Sequence, residues 1–388
     1  MEGGSMEYSE KLIESNRTLT RIQPKMRRGT RDYYYVSNCK EIDLYEVGRI
    51  LSFIESIAQK HSLAILPIRI NLGERIFSDK FSYIVLESLL HSLITKYKCR
   101  IETIFTCPHN IFNEGIQNSC LVHSGIDHNA RQKFVSKYEK NISMTHYRKV
   151  LKKDSQPQEI SLIAQEIDVF LKYNNIVDEC RNTVGMIAAE LADNASEHAG
   201  SECLIDVDVT KDYFKLGQVV NDDIYRGVNI VVMNYSDVLL GTLLHSKING
   251  LSNEFLGKNE RYKKLKEAVD FHSQFWNEQY TESDFFALAS FQDKISGRNH
   301  SVTGGKGLTE LIKTLEIKSD SYFCYCLSGD RIIKLKKEYI TYNQDKWIGF
   351  NTEQDFFTSL PDKNCIIKSP FFFPGTAYNL NFVLKQEE

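Results

Sequence analysis

Apolar positions along the chain fall into alternating helical and strand periods. Within 179–199, Val184, Ile187, Leu191 and Ala195 recur at helical spacing, which predicts a helix that turns one stripe toward a core. The same period predicts helices over Ile42–Lys60 (Leu44, Val47, Ile50, Leu51, Ile54), Phe81–Tyr97 (Ile84, Leu86, Leu89, Leu90, Leu93) and Ile160–Tyr173 (Leu162, Ile163, Ile167, Phe170, Leu171). Strands are expected over Leu63–Leu72, Arg100–Phe105, Cys203–Val209, Val228–Met233 and Gly375–Leu384. Tyr322–Leu327 and Arg331–Leu335 read as two strands joined by a Ser328-Gly329-Asp330 turn. Between 238 and 302, Leu265, Val269, His272 and Trp276 form a packing stripe, and Lys258, Arg261, Lys263, Lys264 and Lys266 a solvated face. Ser283 or Asp284 is placed to cap a helix carrying Phe285, Leu288 and Ala289. Residues 338–370 look irregular, as an inserted loop would.

These elements predict an α/β chain in three parts. Residues 1–36 form a flexible or strap-like basic extension, 37–150 a small α/β unit with a strand–helix–strand order, and 156–388 a larger α/β unit. The polar stretch KKDSQPQ at 152–158 marks the boundary. The length of 388 residues suits such a division. A net charge of −3 provides no global field for nucleic acid. The local run Arg17, Arg21, Lys25, Arg27, Arg28 and Arg31, closed by Tyr33, Tyr34 and Tyr35, is the one candidate for a nucleic-acid strand. A solvated arm, or a strap on a second subunit, is favoured over it. No apolar run is long enough to cross a bilayer, so no membrane contact is expected. Nine scattered cysteines suggest reduced thiols and a cytoplasmic location. Cys107, His109, Cys120, His123 and His128 lie close in sequence but lack a paired zinc spacing, and free thiols with loop histidines explain them. His146 has no acid beside it, and an ordinary surface histidine is expected there.

Candidate chemistry starts with Glu190, Asn194 and His198, each four residues after the last, and so on one helix face. A carboxylate there can take a proton from water, and an amide oxygen is a hard ligand suited to Mg²⁺. A hundred residues on, Gly304, Gly305 and Gly307 precede the helical pattern Leu308, Leu311, Ile312 and Leu315. Such a turn feeding a helix start is a phosphate cradle, with Lys306 as a point charge. A Gly375–Thr376 pair opens the last strand.

The order of these three pieces resembles the GHKL superfamily of Bergerat-fold ATPases over roughly 156–388. The resemblance implies an α/β sandwich in which a mixed sheet backs a helical layer and ATP with Mg²⁺ lies between them. Glu190 would position and deprotonate water, and Asn194 would hold Mg²⁺. His198, with Gly304, Gly305, Lys306, Gly307 and Leu308, would meet phosphate, and Thr376 would sit near the base. Where the family has an aspartate for the adenine amine, this chain has Asn234, with Ser236 and Val238 in place of the following glycines. Asp237 is the alternative base contact, from a shifted turn. Residues 238–302 correspond to the family's lid, with Arg298 and His300 as phosphate candidates. The 37–150 unit is faintly similar to STAS-like interaction domains. The function implied is Mg²⁺-dependent ATP binding with slow hydrolysis, with ATP or ADP, a second copy as a homodimer, and a protein partner as contacts. A protein kinase of the histidine or anti-sigma serine type, or a nucleotide-sensing module without turnover, are the alternatives.

Overall fold

The computed structural model describes residues 10–16, 22, 25–26, 29, 31–59, 63–106, 114–153, 155, 157–210, 225–297, 307–318 and 324–387. The first stretch holds α1 (Glu10–Glu14), β1 (Lys25–Met26), β2 (Tyr33–Val36), β3 (Glu41–Ile42), α2 (Leu44–Ala58), β4 (Ile68–Glu74), β5 (Ile76–Phe77), α3 (Lys80–Thr95) and β6 (Ile101–Thr106). Then come α4 (Glu114–Gln117), α5 (His128–Glu139), β7 (Lys140–Ile142), β8 (His146–Leu151), α6 (Pro157–Tyr173), α7 (Asp178–Ala199), β9 (Cys203–Val209) and β10 (Tyr225–Tyr235). The chain continues through α8 (Thr242–Gly250), α9 (Asn253–Lys258), α10 (Glu260–His272), α11 (Glu282–Ala289), α12 (Gly307–Lys318), β11 (Tyr325–Lys334), α13 (Lys337–Ile340) and β12 (Ile366–Lys385). The fold is mixed α/β.

Two main sheets organise it. The smaller runs β1-β2-β4-β6, with β2, β4 and β6 parallel. The larger runs β11-β12-β10-β9-β8-β7 and is antiparallel at every pairing. The mixed strand directions expected in the larger sheet occur in the smaller one instead. One face of the larger sheet packs on α6, α7, α12 and the helices of 242–289. Its other face shares a core with α2, α3 and the smaller sheet. Every residue of α3 except Thr95 is buried, as a helix held between two sheets must be. Helix starts follow local chemistry: Asp43 accepts from the Glu46 N–H at 2.9 Å and Asp79 from that of Ser82 at 2.8 Å. Strand β4 begins only after Pro67, which has no N–H to give a ladder, so the expected start at Leu63 is too early.

Several expectations are corrected. The hairpin β7–β8 pairs onto β9, so residues 140–151 belong to the larger sheet and not to a separate 37–150 unit. The described parts of 1–36 are no loose arm: Leu12 and Ile13 are buried, and β2 pairs with β4. Arg17, Arg21, Arg27 and Arg28 lie outside the described residues. Ser328-Gly329-Asp330 is not a hairpin turn but an irregularity inside the continuous strand β11. Thr281, not Ser283 or Asp284, caps α11, with Asp284 completing the capping box. Arg261 leaves the solvated face and lies over Trp347 at 4.2 Å. Residues 339–365 tuck Trp347, Phe350, Phe356 and Cys365 into the core shared with α10 and α11. Among the described residues no helix is long and apolar enough to cross a membrane, and the eight described cysteines are free.

The polar face of β9 is also not wet. Asp206 and Asp208 are buried beneath α3. Lys80 reaches Asp206 at 2.6 Å and pairs with Asp208 as well. Arg148, opposite Asp206 in the β8–β9 register, bridges Asp206 and Glu87 of α3. Tyr83 donates to Asp208 at 3.0 Å, and Asn229 donates at 2.6 Å to its other oxygen. His146, expected at the surface, is buried here with Nε2 2.8 Å from Asp206. Burial alone would raise the Asp206 carboxyl, but Arg148, His146 and Lys80 outweigh it and hold the group well below the usual carboxylate range.

His91, one turn after Glu87 on α3, is different. Its ring stacks on Tyr138 at 4.2 Å, and neither ring nitrogen has a hydrogen-bond partner among the described residues. Burial, with Arg148 nearby, lowers its pKa to about 4. The folded pKa lies below the unfolded value of about 6.5, so this term is fully present above pH 6.5 and is lost as pH falls toward 4. Chemical denaturation at pH 7 and pH 4 should show the wild type losing on the order of 3 kcal/mol more than His91→Phe. Parallel profiles for the two proteins would contradict this assignment.

Candidate functional site

On the α7 side of the larger sheet, side chains alternate with those facing α3. Val228, Ile230 and Val232 of β10 and Tyr378, Leu380 and Phe382 of β12 join the α7-side core. The same alternation places Asn234 and Thr376 on that side, directly opposite each other in register. Ser328 of β11 is opposite Thr376, with the two hydroxyls 3.2 Å apart. Asn234 is buried, and its Nδ2 donates at 3.0 Å to Ser201, the buried residue that links α7 to β9. The outcome is a polar row, Ser201–Asn234–Thr376–Ser328, at the sheet end where α7 finishes.

Gly375 sets that row. Its φ is +123°, and an added Cβ would lie 2.1 Å from the Asn234 carbonyl oxygen. Only glycine allows β12 to press against β10 here. The turn after Asn234 forms without glycines at 236 and 238. Ser236 Oγ accepts from the Val238 N–H at 2.9 Å, and none of residues 236–238 has a positive φ. Asp237 does not join this row. Its exposed carboxylate pairs with Lys11 of α1 at 2.6 Å, on the α3 side of the sheet.

Helix α7 buries Val184, Ile187, Leu191 and Ala195 as its periodicity requires. Glu190 is exposed and Asn194 half-buried, one turn apart. The His198 side chain lies outside the described residues. Helix α12, opened by Gly307, packs against α7, with Leu308 half-buried and Leu311, Ile312 and Leu315 in the core. The two distant stretches therefore meet at the level of their helices. Gly304, Gly305, Lys306, Arg298 and His300 fall outside the described residues.

The segment after Asn234 is tied to the same strand end. The Leu240 N–H donates to Ser328 Oγ at 3.0 Å, and Arg331 Nε reaches both oxygens of buried Asp284, at 3.0 and 3.2 Å. Gly241, at φ +86°, leaves no room for a Cβ beside Phe286. Buried His272 donates from Nε2 to the Phe356 carbonyl at 2.9 Å and accepts at Nδ1 from Tyr280. Residues 238–297 are thus a packed helical body. It carries a cavity of about 350 Å³ lined by Leu243, Ser246, Lys247, Gly250, Leu251 and Gly297, and no residue of the polar row lines it.

Sequence reasoning missed Ser201 and Ser328. Neither lies in a periodic pattern, and Ser328 read as a turn residue. No family model, curated protein or solved structure matches this chain. The geometry of the row therefore carries the functional argument.

The glycine requirement is directly testable. Gly375→Ala should cost about 2–5 kcal/mol through backbone strain and overlap. Gly257→Ala, where a Cβ meets open space, should change stability by no more than about 1 kcal/mol. Urea denaturation compares the two, and near-equal midpoints would contradict the close approach.

Proposed function

We propose that the chain binds a Mg²⁺–purine nucleotide between the α7–α12 layer and the larger sheet, and hydrolyses it slowly. The observation that carries this reading is the opposition of Asn234 and Thr376 across β10 and β12, on the face that α7 covers. The two residues that the resemblance assigns to the base lie far apart in the chain, and they are neighbours here. The Gly375 contact supports the same reading, because its close backbone approach to Asn234 holds Thr376 opposite that residue.

The residues present suit the nucleotide and its metal. The amide oxygen of Asn194 is a hard donor of the kind Mg²⁺ takes. The metal, when bound, offsets phosphate charge. Glu190, a turn earlier on α7, would accept a proton from water at its carboxylate. Its exposed position lacks the dry surroundings that strengthen a base, which suits slow turnover. The start of α12, at Gly307 and Leu308, would turn its N–H groups to phosphate, as helix starts do. Residues 238–297 pack onto β11 through Leu240, Asp284 and Arg331, and a nucleotide-dependent shift of this body would alter contacts with a second copy or with another protein. The exposure of Glu190 also favours the sensing reading, in which nucleotide is held without turnover. A phosphoacceptor role for His146 has no support, since that ring is buried against Asp206.

Titration calorimetry with Mg²⁺–ATP tests the assignment. Asn194→Ala should weaken binding at least about tenfold, some 1.4 kcal/mol. Glu190→Ala should keep binding and lose phosphate release. Equal affinity in wild type and Asn194→Ala would contradict the metal assignment.

A further inference from the structure

Resting on the nucleotide reading above, we propose that the base site accepts guanine as readily as adenine, and that Ser201 is the positioning residue that makes this so. Asn234 is the one base-facing amide of the row. It is buried, and among the described residues its side chain makes one hydrogen bond, from Nδ2 to the Ser201 hydroxyl at 3.0 Å. With the amide in that orientation, Oδ1 is left to accept, which suits the exocyclic amine of adenine. Rotation of the amide by half a turn exchanges its oxygen and nitrogen. Ser201 then donates to Oδ1, because a hydroxyl serves in either role. Nδ2 now points to the base as a donor, which suits the carbonyl that guanine carries at the same ring position. The rotated state keeps the same number of hydrogen bonds.

The rest of the row does not break this symmetry. Thr376 carries a hydroxyl able to donate or accept, while Ser328, 3.2 Å away, gives its own proton to the Gly375 carbonyl at 2.7 Å and accepts from the Leu240 N–H, so it does not contact the base. The nearest acid in sequence, Asp237, is held by Lys11 on the opposite side of the sheet. A carboxylate at position 234 would accept only, and would favour the amine of adenine over the carbonyl of guanine. The neutral amide removes that preference.

Calorimetric titration of the full chain with Mg²⁺–ATP and Mg²⁺–GTP decides the matter. The two dissociation constants should lie within about tenfold of each other, and Asn234→Asp should retain ATP while weakening GTP at least about tenfold relative to it. If Asn234→Asp does not fold, Ser201→Ala replaces it: both nucleotides should weaken together, and loss of one alone overturns the proposal. A wild-type preference for ATP above about tenfold overturns dual base acceptance and leaves the nucleotide site standing. Binding of neither nucleotide overturns the site itself, and this inference with it.

Discussion

The architecture depends on a buried set of charges between α3 and the larger sheet. Arg148 bridges Asp206 and Glu87, Lys80 spans Asp206 and Asp208, and His146 closes the Asp206 side. Removing one member of such a set leaves a charge stranded in low dielectric, at a cost of about 3–5 kcal/mol. The two layers cannot part without exposing all of these groups together. This explains why 140–151 joins the larger sheet: Arg148 and Asp206 are direct cross-strand partners, and their shared face is the one α3 covers. It also explains why 140–151, which lie ahead of the polar stretch at 152–158, pair with a strand that follows it.

The larger sheet is consequently a wall with two different faces. Its α3 face is charged, matched and closed. Its α7 face is apolar over most of its area and ends in neutral polar groups. Strand β9 carries both: Asp206 and Asp208 point toward α3, Cys203 and Ile205 toward α7, and Ser201 just ahead of it holds Asn234. The ion set fixes β9 in place, and so fixes the anchor of Asn234. Gly375 completes the arrangement from the other side, by letting β12 lie against β10 more closely than any other residue allows. Rigidity around the row is what the proposed base site would require.

Much of this was legible in the sequence. Cys203–Val209 is a strand at the bounds its alternation suggests, and α7 buries the four residues that its helical spacing selects. Two kinds of information were not legible. An Asp-Val-Asp alternation looks like a solvated strand face, and only a second layer bringing Lys80 and Arg148 makes it a buried one. The polar residues of α3, including Glu87, Ser88 and His91, look like a wet face for the same reason. Cross-strand register is the other. Asn234 and Thr376 are distant in the chain, and local pattern cannot announce that they are opposite, nor that Asp237 turns to Lys11. Gly304, Gly305 and Lys306 announce a phosphate cradle by their chemistry alone, and their placement lies outside the described residues.

The central claim is that a nucleotide base lies on the Asn234–Thr376 row. A crystal structure of the chain with Mg²⁺ and a non-hydrolysable triphosphate tests it most directly. The account predicts the base edge within hydrogen-bonding distance of Asn234 and Thr376, with phosphates at the start of α12 and the metal on Asn194. Nucleotide bound instead in the cavity beside Lys247, or a row closed to any ligand, would contradict it.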